Sequence, residues 1–400
     1  MEGLMQAIRE LYKIGRGPSS SHTLAPERAC RLFVQEFGNY PYYVVELYGS
    51  LSLTGKGHNT DLIIQDTLPG EVEFKWNLEW KESFPNGFYV KALNEKKEVE
   101  HVWTVFSLGG GSIQVLEKHF DFNDEVYPEK NFNEIKTVLE KKQWDLLDYV
   151  LFYEPNILSY LKEVILAEVH SVSNGLRSEG LLPGNLKLAR SAKDLFELAK
   201  GDERLQIMSY AYAANEENAS MKTVVTAPTL GSCGIIAALS YYLVVDQGYP
   251  VSTVAKALAI GGVFGNVIKQ NATISGAVGG CQAEVGSAVS MACAMLAWIR
   301  KENLEVIESA AEIGMEHHLG LTCDPVQGYV MIPCIERNSQ GIVRVFDSVH
   351  LATTLRKIKK GRIDFDTIVE TMNETGRVMA VQLRETSEGG LAKFYKEPEC

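Results

Sequence analysis

FDFNDEVYPEKNF, residues 120–132, is the seam of this sequence: a polar stretch without hydrophobic periodicity, set between two segments of different pattern. Before it, apolar residues alternate. YYVVELYG (42–49), DLIIQ (61–65), VEFKWNL (72–78), FYVKAL (88–93), HVWTVFSL (101–108) and SIQVLE (112–117) read as strands, and helical spacing is expected over 2–13 and 26–37. After it the strand signal almost vanishes. Helices are expected over 133–142, 144–151, 156–174, 186–200, 202–218, 233–246, 251–270, 283–302, 304–315, 341–358 and 364–377. The expectation is an α+β fold: a small mixed α/β domain over 1–125, then a large all-α domain over 133–400.

Of the 400 residues, 46% are apolar and 22% charged, the proportions of an ordinary globular protein. The net charge of −12 is spread along the chain, which argues against nucleic acid and anionic membranes as partners but not against a small anionic substrate. MEGLMQAIRELYK (1–13) reads as the start of an amphipathic helix and lacks the apolar core of a signal peptide, so a cytoplasmic protein is expected. The uncharged run 223–245 is long enough to span a bilayer, but Pro228, Gly231, Gly234 and several hydroxyl residues interrupt it. It reads as a loop followed by a buried helix.

Seven cysteines stand at 30, 233, 281, 293, 323, 334 and 400, an odd number that favours free thiols or metal ligands over a disulfide framework. In EHHLGLTCDPVQGYVMIPCIERN (316–338), Cys323 and Cys334 each lie beside proline-constrained, non-helical backbone, which suits thiolates held around a metal. Forty-one residues separate Cys281 from Cys323 and ten separate Cys323 from Cys334, so no CxxC pattern applies. Cys281 follows GAVGG and precedes a helix start, where roughly half a positive charge steadies a thiolate. Three loop cysteines suit a [4Fe–4S] cluster with one iron left open; zinc would need a fourth ligand, for which His317 and His318 are candidates. Cys30, Cys233 and Cys293 read as packed core residues. The terminal Cys400 is either a frayed end or a thiolate that reaches the open iron.

Two more segments carry chemistry. GRGPSSSHTLAPERA (15–29) places Ser19, Ser20, Ser21, His22 and Thr23 ahead of a helix, with more hydroxyls than a cap needs and enough to cradle a carboxylate. GSLSLTGKGHNTDL (49–62) fails as a P-loop, because five residues separate Gly49 from Gly55 and Gly57 replaces the magnesium-binding hydroxyl. It presents Lys56, His58, Asn59 and Asp61 from a glycine-rich loop, with His58 the proton-transfer candidate. SLGGGS (107–112) reads as a tight turn between strands. Thr229 and Ser275, in the small-residue loops TAPTLGSCG (226–234) and NATISGAVGGCQ (271–282), complete the candidate substrate-binding set.

With GPSSSHT, GSLSLTGKGHNTD, FSLGGG, TAPTLGSCGII, ISGAVGGCQAEVGSA, LGLTCDPVQGYVMIPCIERN and ETSEGGLA in order along it, the chain resembles the iron–sulfur-dependent bacterial L-serine dehydratases (L-serine ammonia-lyases) of single-chain type. The resemblance implies a [4Fe–4S] cluster on Cys281, Cys323 and Cys334, with Cys400 as a displaceable fourth ligand. It also implies elimination of water from L-serine to give pyruvate and ammonia, and a homodimer. The departures are Leu230 where the family usually has Asn, Ala237 for Pro, and Ala283 and Gln327 for Gly. On this reading Ser19, Ser20, Ser21 and Lys56 hold the substrate carboxylate, and His58, or else His22, removes the Cα proton. A pyridoxal phosphate enzyme using Lys56 would leave the cysteines unexplained. A cluster-dependent cysteine desulfidase, a threonine deaminase and a non-catalytic amino-acid sensor with a structural metal are the other readings.

Overall fold

The computed structural model describes residues 4–82, 84, 86–120 and 125–397. The fold is α+β. Five strands, β1 (Tyr42–Tyr48), β2 (Glu71–Trp76), β3 (Gly87–Leu93), β4 (Val99–Gly109) and β5 (Ser112–Val115), form one sheet in the order β2-β1-β3-β4-β5. Only the β1–β2 pair is parallel; the other neighbours are antiparallel. Alternation decides which face is covered: Tyr43, Val45 and Leu47 of β1, Phe88, Val90 and Ala92 of β3, and Trp103 and Val105 of β4 are buried with Phe33 of helix α1 (Ala25–Phe37).

The parallel pair exists because the chain crosses over between β1 and β2 through helix α2 (Thr60–Thr67), where DLIIQ was expected to be a strand. Adjacent Ile63 and Ile64 both face the core while Asp61 and Leu62 point away, a helical rather than an alternating arrangement. Five residues with two β-branched neighbours do not separate the two periods.

The N-terminal segment also departs from expectation. Of residues 2–13, Glu2 and Gly3 lie outside the described residues. The rest forms a short strand (Met5–Gln6) and a single tight turn (Ile8–Glu10), then leads into another strand (Ile14–Arg16). Tertiary contacts override the helical spacing. The Ile8 N–H donates to Glu154 Oε1 at 2.7 Å, and the Tyr12 hydroxyl donates to the Leu258 carbonyl at 3.0 Å. Residues 14–16 pair antiparallel with Thr223–Val225, and Met5, Ile8, Leu11 and Tyr12 join the helical core rather than the sheet core. Within the seam, 121–124 lie outside the described residues, and Glu125–Tyr127 pairs with Met5–Gln6.

Beyond the seam the main helices are α3 (Phe132–Lys142), α4 (Leu146–Tyr153), α5 (Ile157–Gly175), α6 (Ala192–Leu198), α7 (Glu203–Ala219), α8 (Cys233–Tyr241), α9 (Val251–Asn271), α10 (Ser287–Ile299), α11 (Leu304–Glu316), α12 (Cys334–Leu355) and α13 (Phe365–Val378). The uncharged run 223–245 becomes a strand, a loop and α8. Two stretches, Val251–Asn271 and Gln282–Ile299, are long and apolar enough to cross a membrane, but 78% and 89% of their apolar windows are buried inside the protein, as the central helices of a large core.

Candidate active site

The sequence-flagged loops meet at one small cavity lined by Ser19, His58, Cys281, Cys323, Cys334, Glu284 and Glu385, among others. Each loop arrives by a different route. Ser19 opens a wide helical turn, Ser20–Leu24, that runs into α1. Gly17 is there for closeness: a Cβ would sit 2.1 Å from the Asn218 carbonyl oxygen. The Ser20 hydroxyl accepts a 3.0 Å hydrogen bond from the Leu230 N–H, and the Ser107 hydroxyl donates to the Ser21 carbonyl at 3.0 Å. Leu230 therefore serves the turn through its backbone, while its side chain is buried with Val224 and Cys233.

His22 and His58 stack, ring centroids 4.1 Å apart and planes 18° from parallel. His22 Nδ1 lies 3.2 Å from Ser19 Oγ, and its Nε2 lies 2.9 Å from Thr54 Oγ1 and 3.2 Å from Ser50 Oγ. His58 Nδ1 is 2.9 Å from the Thr54 carbonyl, which assigns the proton to Nδ1 and leaves a lone pair on Nε2. That Nε2 faces Glu385 Oε1 at 3.8 Å, and His22 Nδ1 reaches the same oxygen at 3.8 Å. The distances would suit ion pairs, but burial disfavours the charged form of each of the three groups. Burial holds the His58 imidazole down to about 4. Burial and the adjacent His58 hold His22 well below the usual histidine range. Burial, then Glu284 and Cys281, push the Glu385 carboxyl well up.

Cys281, Cys323 and Cys334 are buried and carry no disulfide. Cys334 is the first residue of α12 and follows Pro333; Cys281 begins the turn that feeds α10. Both sulfurs thus stand at the positive ends of helices. Cys323 sits on extended chain tied to the C-terminal segment: its N–H donates to the Leu383 carbonyl at 2.8 Å, and the Glu385 N–H donates to its carbonyl at 2.7 Å. Sulfur or oxygen atoms of Cys281, Glu284 and Cys323 all lie within 4.8 Å of one another. A hydrogen bond with Cys281 and then burial push the Cys323 thiol well up; burial and then Cys281 do the same for Cys334. Such crowded thiols keep their protons until a cation replaces them. Arg337 supplies some positive charge nearby, anchored on Asp324 at 2.9 Å.

The donor set fits a thiolate-bound metal group. All three thiols line one cavity, and glycine keeps it open: a Cβ on Gly276 would lie 2.6 Å from Glu284 Oε2 and 3.4 Å from Cys323 Sγ.

Other flagged residues do not line that cavity. Lys56 is exposed, its ammonium 5.4 Å from the Trp76 ring centroid. Asn59 takes a left-handed conformation at the start of α2, and Asp61 accepts a hydrogen bond from the Leu62 N–H. Thr23 closes its own turn onto the Ser19 carbonyl at 2.6 Å. Thr229 donates to Glu284 Oε1 at 2.8 Å, and Ser275 is buried with its hydroxyl lacking a partner among the described residues. His317 and His318 bond backbone carbonyls one turn back, one ring exposed and one buried. Gly109, Gly110 and Gly111 form the β4–β5 turn, all with positive φ. Cys30, Cys233 and Cys293 are packed in the cores, and Cys400 lies outside the described residues.

The sequence reading missed Glu284, Glu385 and Arg337. Glu284, pushed up to about 6 by burial, stands three residues after Cys281 and so on the same side of the turn, a spacing that could have flagged it.

One imidazole, two carboxyls that burial pushes up and three thiols line one cavity, a donor set able to hold a metal and to move protons. Residues 123–392 match the family model described as serine dehydratase alpha chain, and residues 7–73 match that of the serine dehydratase beta chain. The L-serine dehydratase of Haemophilus influenzae is 36% identical, over 97% of this chain and 99% of its own length. L-serine dehydratase 1 of Escherichia coli is likewise 36% identical over 97% and 99%, and the L-serine dehydratase of Streptomyces coelicolor is 35% identical over 96% and 98%. The chain belongs to the serine dehydratase family, with the alpha and beta parts joined in one polypeptide. It is an enzyme of the lyase class, in a family that suggests a metal cofactor.

Proposed function

We propose that this protein is an L-serine ammonia-lyase that eliminates water from L-serine, using a [4Fe–4S] cluster held by Cys281, Cys323 and Cys334 with Cys400 as the displaceable fourth ligand. The observation that supports it is that three buried thiols and an unprotonated His58 Nε2 line the same cavity. The proposal includes a homodimer in the cytoplasm, and a division into residues 1–125 and 133–400 with the cluster in the helical part.

The reaction must break an unactivated Cα–H bond and expel hydroxide. When bound, the cluster supplies a Lewis-acidic iron for the β-hydroxyl. His58 takes the Cα proton at Nε2, for which the Thr54 carbonyl fixes the tautomer and the His22 ring fixes the plane. Low basicity costs His58 driving force but keeps it unprotonated at neutral pH. The Ser19 hydroxyl, beside His58 in the cavity wall, holds the substrate carboxylate. Proton and hydroxide leave as water. The aminoacrylate tautomerises and hydrolyses to pyruvate and ammonia.

The test is pyruvate formation from L-serine by anaerobically purified protein, with His58→Ala in parallel. Pyruvate from the parent and near-background turnover by the variant is the expected result. Near-normal turnover by the variant rejects His58 as the base, and no pyruvate from an iron-loaded parent rejects the activity.

A further inference from the structure

Serine carries a carboxylate, a β-hydroxyl and an ammonium. The elimination described above uses Ser19 for the carboxylate and the metal group for the hydroxyl, and it leaves the ammonium without a partner. A cation that sheds its water on entering a buried cavity needs an acceptor there, and an anionic one suits it best. Among the described residues lining the cavity, only Glu284 and Glu385 bring carboxylates. Glu284 is already engaged: Oε1 accepts from Thr229 Oγ1 at 2.8 Å, and Oε2 accepts from Cys323 Sγ at 3.9 Å.

Glu385 keeps acceptor capacity in reserve. The residue is only 4% exposed, and its Oε2 has no hydrogen-bond partner among the described residues. Its Oε1 stands 3.8 Å from His58 Nε2 and 3.8 Å from His22 Nδ1, beyond hydrogen-bond length. The Ala277 N–H reaches the carboxyl, but two carboxylate oxygens accept more than one donor. An unpaired buried oxygen is costly, and the backbone that carries this one is unusual as well. Glu385 has φ 58°, in the left-handed region that side chains rarely adopt, and its N–H is tied to the Cys323 carbonyl at 2.7 Å.

The spacing to His58 also fits. The amino nitrogen is about 1.5 Å from Cα, and a base attacking there stands about 3–3.5 Å away. An ammonium–carboxylate hydrogen bond adds about 2.7–2.9 Å. A carboxylate that holds the ammonium therefore belongs beside the base, as Glu385 is beside His58.

We propose that Glu385 binds the substrate's α-ammonium and makes the site select amino acids over acids that lack the nitrogen. The proposal rests on the elimination reading above.

The experiment compares L-alanine with propionate, which differ by the ammonium alone and have no hydroxyl to lose. Binding of each to anaerobically purified, iron-loaded protein is measured by calorimetry and by inhibition of L-serine turnover, in the parent and in Glu385→Gln. The parent should prefer L-alanine. The variant should lose about tenfold or more of its affinity for L-alanine, while affinity for propionate changes by less than about twofold. A residue that merely shaped the cavity or oriented His58 would move both ligands alike, or kcat alone. If the Gln variant loses its fold or its iron, Glu385→Asp, which keeps the charge on a shorter arm, should show the same loss confined to L-alanine. No preference in the parent, or an equal change for both ligands in the folded variant, overturns the proposal. Absence of pyruvate from the iron-loaded parent rejects the elimination itself, a separate result from either ligand comparison.

Discussion

Replacing Glu168 with Gln should stabilise the protein, and by an amount that grows with pH. Glu168 lies in the interior of α5 and is fully buried; its Oε2 accepts a 2.6 Å hydrogen bond from the Ser240 hydroxyl, and its Oε1 has no partner among the described residues. Burial pushes this carboxyl from the ordinary 4.5 up to about 8. Between those values the native state keeps a proton that the unfolded chain has released, so stability falls as pH rises, by about 1.4 kcal/mol per pH unit. From pH 5 to pH 8 the accumulated cost is about 3–4 kcal/mol. Gln has the same shape, no charge to desolvate, and an amide oxygen for Ser240. Urea unfolding of both proteins at pH 5 and pH 8 measures the effect. The advantage of the variant should be small at pH 5 and larger at pH 8 by the amount above. An advantage equal at both pH values, or a loss that deepens with pH, would refute the reasoning.

Other perturbations have equally definite outcomes. His58→Ala should lower kcat/KM for L-serine by about 10²–10⁴-fold while the protein remains folded. Gly57→Ala would put a Cβ 2.6 Å from the Gly328 carbonyl carbon, so it should separate the His58 loop from the Cys323–Cys334 segment. It should cost about 1–3 kcal/mol in unfolding experiments and most of the turnover. Phe264→Ala should destabilise by about 3–5 kcal/mol, since this fully buried ring packs on Phe132 at 4.6 Å and Phe365 at 4.8 Å; melting-curve comparison checks it. Cys400→Ser should leave iron content intact and alter only the onset of turnover after serine is added; loss of iron would make that cysteine a permanent ligand.

The sheet was legible where alternation was long enough: Tyr43, Val45 and Leu47 point one way over seven residues, and no helix spaces them so. Five-residue DLIIQ offered no such length. The N-terminal segment misled for another reason, because Ile8, Leu11 and Tyr12 do have helical spacing, but their partners lie in Glu154 and Leu258, far along the chain. At the site, the loops betrayed themselves by composition: prolines beside Cys323 and Cys334, glycines before Cys281, and hydroxyls around His22. What composition does not carry is convergence. The His22–His58 stack joins residues thirty-six apart, and Glu385 reaches both rings from a segment that pairs with Cys323. Lys56 shows the converse: a chemically apt neighbour of His58 that points to Trp76 instead.

The central claim is that Cys281, Cys323 and Cys334 hold the group on which serine elimination depends. Iron and acid-labile sulfide, measured alongside pyruvate production on the same anaerobic sample, test it most directly. About four of each per chain are expected, with their loss together with activity in Cys323→Ala. Undiminished pyruvate production by iron-free protein, or a full iron complement in that variant, would contradict it.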